Sequence, residues 1–381
     1  MSRNAATERP VQAGKIQVWD LPTRLFHWVL VALVCVSAMV GYYAPEWWLG
    51  SHVLSGYGIA ILIVLRLVWA VFGSEYSRVS NFAYSPSEVV RHLRGVLRLR
   101  PPHYVGHNPT GSMMIFALVI VLIAIVATGL LSLGGQEKQG PLAGLTSYAA
   151  GDAANVVHGY LVDALMIMVA GHVSGVIAES LMDRENLVRA MIEGTKRLPA
   201  NGEPPAPRPA RVLAATITIG AVVVVAGVAL AALDRLPPTG VLALPVHEAF
   251  RSECGDCHQV YHPSLLPAAS WRGMMRTLDD HFGEDASIDE ETARSIESHL
   301  AAYASEAWDT EAANRFRTVS AEAPWQISAT PDWVRTHADI SRDVFARKGI
   351  DTKGNCAACH RDAETGRYED RMITIAKERK P

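Results

Sequence analysis

Residues 25–44 read LFHWVLVALVCVSAMVGYYA, a run of twenty residues that contains no Asp, Glu, Lys or Arg. Because about 20 helical residues cross the hydrocarbon core of a bilayer, this run predicts a membrane-spanning helix. The residues before it are polar and no small-residue cleavage site follows, so we expect it to remain as an anchor. Four further runs of similar length carry at most one charged residue each, at 53–72, 113–133, 154–178 and 212–233.

The loops between these five predicted spans differ sharply in basic residues. The loops 73–112 and 179–211 carry five and six Lys or Arg, whereas the two remaining loops contain only Lys138. Basic loops stay in the cytoplasm, so the N-terminus and both basic loops are predicted to face inward. Five spans then place the chain from residue 234 onward on the outer side, which in a bacterium is the periplasm.

The residues beyond the last span have the composition of a soluble domain. From residue 234 onward there are 25 acidic and 18 basic residues, a net charge of −7, while the whole chain is at −3. An acidic domain of this kind argues against a nucleic-acid partner. The predicted organisation is a cytoplasmic tail (1–24), a four-helix membrane domain (25–196), a Pro-rich linker (197–211), a fifth span (212–233) and a periplasmic domain (240–381).

Four of the five cysteines occur in two Cys-x-x-Cys-His motifs, and the fifth, Cys35, lies in an apolar run. This motif is typical of covalent haem c, in which both thiols bind the porphyrin and the adjacent histidine binds iron. A redox dithiol or a zinc site is the alternative, but two identical motifs outside the membrane favour haem. The predicted attachment thiols are Cys254, Cys257, Cys356 and Cys359, and the predicted proximal ligands are His258 and His360.

The sequence offers several distal ligands for these two haems. We favour His281 and His337, because each lies 23 residues from a proximal histidine and has enough chain to fold back. His262 is the main rival, although it follows His258 too closely to reach the far side of the same haem. A methionine ligand would raise the potential. The remaining candidates are His247, His299 (expected at the surface), Met274 and Met275.

Four histidines in the predicted spans stand at matched depths. His158 and His172 are 14 residues apart on one span, which is about 21 Å and close to four turns, so they share one helix face. His27 opens the first span at the inner side, and His52 opens the second at the outer side. Histidines in spans are costly and mark functional sites. Pairing by depth predicts two non-covalent b haems, held by His27 with His172 and by His52 with His158.

Other polar residues in or near the spans allow less specific predictions. Arg24 could bind a haem propionate or extend toward the membrane surface. Arg66 is expected near the inner haem and Asp163 near the outer haem, where Asp163 could carry a proton or cap a polar group. Three histidines of the first basic loop are expected to be solvated, namely His92, His103 and His107.

Residues 18–196 resemble the bacterial cytochrome b561 family, which includes the di-haem cytochrome b subunits of nickel hydrogenases and formate dehydrogenases. The resemblance rests on WDLPTRLFHW ending at Trp28, HVLSGY from His52, RLVWAVFG from Arg66, HNPTGSM from His107, and the residues around His158 and His172. It implies the same four haem ligands and exchange of electrons with a quinone pool.

The region from Cys254 to the end resembles the small di-haem cytochrome c family. The resemblance rests on CGDCH with the following QVYHPSLLP, on TPDWVRTH ending at His337, and on CAACHRDAETG from Cys356. It implies bis-histidine ligation and low potential.

The sequence therefore predicts an all-α inner-membrane protein: a four-helix haem-b bundle, a fifth anchoring helix and a small loop-rich di-haem domain. We expect electron transfer between a quinone and a soluble periplasmic donor or acceptor, through two b haems and two c haems. One alternative is a quinol dehydrogenase with its own proton-handling site at Asp163 or Glu179. Another is a haem-based sensor, which would need an open iron site. Dimerisation is left open.

Overall fold

The computed structural model describes residues 15–98, 102, 104–197 and 208–375. The Pro-rich linker and the first fourteen residues of the predicted cytoplasmic tail lie almost entirely outside this part of the chain, as does His103.

The described chain is mostly helical, which confirms the all-α prediction. In chain order the membrane-region helices are α1 (Leu21–Tyr43), α2 (Leu49–Phe72), α3 (Pro86–Leu97), α4 (Pro109–Gly135), α5 (Tyr148–Met182), α6 (Leu187–Glu193) and α7 (Val212–Leu233). They are followed by α8 (Glu248–Gly255), α9 (Ala268–Met275), α10 (Glu290–Ala302), α11 (Glu311–Arg315), α12 (Pro331–Thr336) and α13 (Arg342–Phe345). Strands β1 (Lys15–Gln17) and β2 (Thr195–Arg197) pair antiparallel, with Ile16 opposite Lys196.

In the described part of the chain, five helices are long and apolar enough to cross a membrane, as the sequence predicts: α1, α2, α4, α5 and α7. The first begins at Leu21, before the apolar run, because Asp20 accepts a hydrogen bond from the Thr23 amide at 2.9 Å and caps the helix. The longest, α5, has 35 residues. Its length of about 52 Å exceeds the roughly 30 Å hydrocarbon core, so α5 extends beyond the bilayer.

The described residues form two compact units. The first contains residues from within 1–39, 53–127 and 158–228. Its core lies where α2, α4 and α5 meet, and it consists of the buried side chains Ile59, Ile63, Leu122 and Leu165. Large apolar side chains such as Ile61, Ile120 and Ile167 remain exposed on these helices, as expected of surfaces that face lipid.

The second unit contains residues from within 40–52, 128–157 and 229–381. Its main core packs α8, α9 and α10 together through the buried side chains of Phe250, Leu266, Trp271, Ile296 and Leu300. Burial of each such side chain contributes about 1.5–3 kcal/mol. Helix α10 begins at Glu290 because Asp289 caps it by accepting from the Thr292 amide at 2.9 Å.

Candidate haem sites

The first Cys-x-x-Cys-His motif begins at the C-terminal end of α8, which carries Cys254, and continues into a turn that carries His258. His281 returns to this motif after α9. Its backbone pairs with Glu284, and Phe282 between them has a φ of 56° that closes a tight turn. The imidazole rings of His258 and His281 lie 6.2 Å apart between centroids.

The second motif forms a short turn at Cys356–Ala358, in which the amide of His360 donates to the carbonyl of Cys356 at 2.8 Å. The partner His337 follows directly after α12. The rings of His337 and His360 also lie 6.2 Å apart between centroids. The ring of Tyr368 lies 5.2 Å from His360 on another side.

The equal spacing of the two pairs fits one metal ion between each pair of rings. Bonds between a metal and imidazole nitrogen are about 2.0–2.1 Å long. Two such bonds on opposite sides of one ion, together with the ring dimensions, place the centroids about 6 Å apart. The two thiols of each motif lie on the same short segment as one of the rings. The donor sets therefore fit two covalently attached haems.

Hydrogen bonds orient two of these rings. Nδ1 of His258 donates to the carbonyl of Gln259 at 2.7 Å, and Nδ1 of His337 donates to the carbonyl of Trp333 at 2.9 Å. In each ring this leaves Nε2 as the nitrogen with a free lone pair. Burial, with repulsion from His337, lowers the pKa of His360 to about 4, which keeps this imidazole neutral and able to bind metal at pH 7.

The two attachment motifs contact each other through two side chains that follow the first motif. The amide of Ala357 donates to Oε1 of Gln259 at 3.0 Å. The hydroxyl of Tyr261 donates to the carbonyl of Gly354 at 2.9 Å. Two hydrogen bonds therefore join the segments that carry the two attachment motifs.

The inner histidines of the spans come together in the first unit. His27 on α1 and His172 on α5 are within electrostatic range of each other. Nδ1 of His27 is buried and has no hydrogen-bond partner in the described structure. A buried ring nitrogen without a partner, on a histidine within electrostatic range of a second one on another span, fits a metal-linked pair.

The two histidines predicted at the outer side lie on α2, which carries His52, and on α5, which carries His158. His52 occupies the first turn of α2 beside Gly41, where an added Cβ would come within 3.3 Å of the ring. His158 on α5 donates from Nδ1 to the carbonyl of Ile125 on α4 at 3.0 Å. This hydrogen bond fixes the orientation of the His158 ring.

The comparisons with known proteins agree with this division. Residues 18–194 match the family model described as prokaryotic cytochrome b561, and residues 250–368 match the model described as dihaem cytochrome c. The chain therefore carries a cytochrome b561 region followed by a dihaem cytochrome c region. It is thus a multi-pass membrane protein that transfers electrons through haem groups.

Individual relatives cover the two regions separately. The cytochrome b561 region is similar to probable Ni/Fe-hydrogenase B-type cytochrome subunits. The subunit of Bradyrhizobium diazoefficiens is 24% identical, and the match covers 52% of this chain and 92% of the relative. The subunit of Cupriavidus necator is 28% identical, and the match covers 49% of this chain and 91% of the relative. A solved diheme cytochrome c from Rhodobacter sphaeroides is 41% identical, covers 32% of this chain and 98% of its own, and superposes with a TM-score of 0.29.

The other histidines of the dihaem cytochrome c region have protein partners. His262 is buried, with its Nδ1 bonded to the Ser264 hydroxyl at 2.7 Å and its ring 4.7 Å from that of Trp308. His299 was expected at the surface, but this prediction is wrong. It is only 8% exposed, because α10 turns it against the rings of His247 and Tyr303. Met274 and Met275 pack against the main core.

Charged residues of the cytochrome b561 region bind near the inner ends of the spans. Asp20 accepts from Nε1 of Trp69 at 2.9 Å and from the hydroxyl of Ser74 at 2.6 Å. Arg66 donates to the carbonyl of Ser77 at 3.1 Å, and Arg24 donates to the carbonyl of Ile192. These bonds anchor both arginines, whose predicted proximity to the inner haem stays a prediction.

The expectation that the loop histidines are solvated is wrong for the two that the structure describes. His92 is 1% exposed and bonds through Nδ1 to the Thr110 hydroxyl at 2.8 Å. His107 lies between the rings of Trp19 and Phe82, at 4.5 and 4.8 Å. Burial, with repulsion from neighbouring cations, lowers the pKa of His107 to about 3. Both side chains therefore belong to the interior of the cytochrome b561 region.

A polar contact surface in the second unit has no counterpart among the sequence-based predictions. Lys138 follows α4 and is 3% exposed, and its Nζ lies 2.8 Å from Oδ2 of Asp309. The amide of Tyr148 donates to the same oxygen at 2.8 Å. Nearby, Arg367 donates to the carbonyl of Lys138 at 3.0 Å. The one sequence signal was Lys138 itself, the single basic residue in the two outer loops.

Partly buried carboxyl groups lie near this surface. The amide of Asp370 donates to Oε2 of Glu137 at 3.3 Å. Burial and the neighbouring carboxylates of Asp370 and Glu311 raise the pKa of Glu137. Burial and the carboxylates of Glu46 and Glu311 likewise raise the pKa of Asp370. Protons are therefore held at this surface at a pH at which isolated carboxyl groups would be ionised.

Proposed function

We propose that this chain conducts electrons across the inner membrane between a quinone pool and a soluble partner in the periplasm, through two b haems and two c haems. The observation that carries the proposal is the pair of 6.2 Å ring spacings, His258 with His281 and His337 with His360, each beside two attachment thiols. Each pair of histidines would hold one haem iron and leave no position open for another ligand, which would suit electron transfer.

The proposed orientation places the N-terminus and both basic loops in the cytoplasm and the region after α7 in the periplasm. The positive-inside rule supports it. Covalent attachment of haem c is expected on the outer side, which supports the same orientation. Lys138, the single basic residue of the outer loops, is neutralised by Asp309 and so does not oppose this assignment.

In this proposal the side chains act as ligands and as fixed dipoles. His27 and His172 hold the inner b haem, and His52 and His158 hold the outer one. The hydrogen bond from His158 to the Ile125 carbonyl sets the orientation of its ring and strengthens its donor nitrogen. A haem supplies the one-electron chemistry, while the protein supplies position, burial and electrostatic tuning.

A redox titration of the purified chain in detergent, followed by visible spectra, tests the proposal. We expect two b-type and two c-type low-spin haems, all of them reduced when a quinol analogue is added. A haem count other than four would contradict the ligand assignment. Binding of CO to the reduced protein would reveal an open iron site and favour a sensor. The relatives are named as hydrogenase subunits, so a hydrogenase is a further candidate donor.

A second candidate function, a quinol dehydrogenase with its own proton-handling site, is favoured by the surroundings of Glu179. Its Oε1 lies 3.8 Å from Nε2 of His92, and Asn108 donates to the same carboxyl group. Nε2 of His92 is buried and has no hydrogen-bond partner in the described structure, so a proton could pass between the two groups.

Glu179→Gln should slow quinol oxidation with all four haems retained, whereas an unchanged rate would show that Glu179 does not have this role. Asp163→Asn tests the other candidate in the same way.

A further inference from the structure

The two loops that join the outer ends of the spans contact one particular half of the dihaem cytochrome c region. The turn Glu46–Trp48 between α1 and α2 packs against the turn Asp370–Met372. The loop after α4 reaches the same segment, through Glu137 to the Asp370 amide and through Gln139 to Glu369 at 3.0 Å. Both loops therefore converge on residues 369–372.

This segment adjoins the site of His337 and His360. The backbone of His360 pairs with Ile373, and the amide of Thr374 donates to the carbonyl of Cys359 at 2.8 Å. The turn Glu46–Trp48 packs against Asp370–Met372, and the next residue, Ile373, pairs with His360. Glu46, in an outer loop, therefore lies on a turn that contacts the segment beside the site of His337 and His360.

The same turn leads directly to a proposed ligand of the outer b haem. Helix α2 begins at Leu49, immediately after Trp48, and His52 is its fourth residue. At a rise of 1.5 Å per residue, His52 lies about 6 Å further along the chain than Trp48. A short stretch of backbone and packed side chains therefore connects His52 with the segment that pairs with His360.

The segment that follows His258 contacts the segment that leads to the other proposed c-haem site. Gln259 and Tyr261 bond to the segment that leads into the second attachment motif, at Ala357 and Gly354. The contacts described here therefore run from the outer loops to His337 and His360, and from there to His258 and His281.

We propose that the haem held by His337 and His360 is the one that exchanges electrons with the outer b haem, and that the haem held by His258 and His281 serves the soluble partner. This order rests on the proposed function. In each step one electron leaves a ferrous iron and reduces a ferric iron, with no bond formed and no proton transferred. The order holds for either direction of net flow.

Two variants of the full chain mark the two c haems in a redox titration. Glu46→Gln removes a negative charge from the turn that packs against Asp370–Met372, next to the site of His337 and His360. The potential of that haem should therefore rise, by about a threefold to tenfold change in the ratio of reduced to oxidised haem. His281→Met replaces a ligand of the other haem, and a methionine ligand raises the potential. We expect the two substitutions to move different c-haem components. Asp285→Asn, an exposed carboxylate on the His281 side, is the matched control for Glu46→Gln.

Rapid mixing of the chain with a quinol analogue then gives the order of reduction. The component that Glu46→Gln moves should be reduced first, and the component that His281→Met moves should follow. Reduction in the opposite order would overturn the proposal. The proposal would also be overturned if Glu46→Gln shifted the potential of neither c-haem component, or of both. If the quinol analogue leaves the b haems oxidised, the quinone half of the proposed function fails. The Glu46→Gln titration still decides which c haem adjoins the outer loops.

Discussion

The ion pair between Lys138 and Asp309 provides a direct test of how the outer loop after α4 is held. Nζ of Lys138 lies 2.8 Å from Oδ2 of Asp309 and donates to the carbonyl of Thr146 at 3.2 Å. Lys138→Met removes the ammonium group and leaves a carboxylate that is bound only by neighbouring amides. Loss of one partner from a buried pair costs about 3–5 kcal/mol. Because the side chain of Asp309 is 27% exposed, we expect about 3 kcal/mol.

A free energy of about 3 kcal/mol corresponds to roughly a hundredfold change in an equilibrium constant. Hydrogen exchange measured by mass spectrometry on the purified chain should therefore show about a hundredfold loss of protection across the loop 137–148. The c-haem spectrum should be unchanged. Lys348→Met, at an exposed lysine in the same region, is the matched control and should leave this loop protected.

A double-mutant cycle separates the ion pair from general damage to the loop. Lys138→Met combined with Asp309→Asn removes both charges, so the double variant should be less destabilised than the sum of the single variants. A coupling energy below about 0.5 kcal/mol would refute the reasoning, because it would mean that the two charges stabilise the loop independently.

Three further predictions follow from single sites. Gly366→Ala should lower the denaturation midpoint that is followed by the c-haem spectrum. Gly366 has a φ of 68°, and an added Cβ would lie 2.3 Å from Nδ1 of His262. An unchanged midpoint would contradict this prediction. The raised pKa values of Glu137 and Asp370 mean that the folded chain holds protons that the unfolded chain releases. Stability should therefore fall as the pH rises from the pKa values of the unfolded chain, near 4, through the raised pKa values of the folded chain. Glu137→Gln should make this loss of stability smaller. A thermal midpoint that increases with pH would show that the sign of the argument is wrong. His172→Ala should remove one b haem, so that a pyridine haemochrome assay gives one b and two c haems per chain, whereas retention of both b haems would exclude this residue as a ligand.

The spans and the two attachment motifs are predictable from the sequence because each is a local pattern. An apolar run of about 20 residues needs no partner to be recognised, since the bilayer itself selects it. The motifs at Cys254 and Cys356 place all three reacting groups within five residues. The preference for His281 and His337 as distal ligands also used little more than spacing. The ring distances of 6.2 Å support that preference, and the ligand assignment remains a proposal.

Side-chain burial was less predictable, because it depends on residues far away in the chain. His299 was assigned to the surface from the charged stretch around it, yet His247 covers it from the start of α8. His92 lies on a helix with four nearby arginines, but it faces Thr110 at the start of α4. Helix ends were also misplaced where a capping group lies outside the apolar run, as Asp20 does for α1.

The acidic composition beyond residue 234 has a different meaning once the structure is known. From the sequence alone, this negative charge was interpreted as typical of a soluble domain. Part of it lies on the partly buried carboxyl groups of Glu311 and Asp370, which share a surface with Glu137 from the outer loop. Burial and mutual repulsion keep protons on such groups. The effective charge of the region near neutral pH is therefore less negative than the formal count of −7 from the sequence.

A polar, carboxylate-rich contact would be weak between separate proteins, because desolvation of the charged groups offsets much of their attraction. On this chain the contact is intramolecular. The segment after α7 itself binds the outer loop, through the amide of Thr239 to the carbonyl of Ala143 at 2.9 Å. A short tether of this kind gives the contact a high effective concentration, so a weak surface is sufficient to keep the dihaem cytochrome c region in place.

A polar surface also responds to pH and salt more strongly than an apolar one. The contact between the outer loops and residues 369–372 should therefore loosen at high ionic strength before the dihaem cytochrome c region itself unfolds, since the latter is held by the apolar core around Trp271.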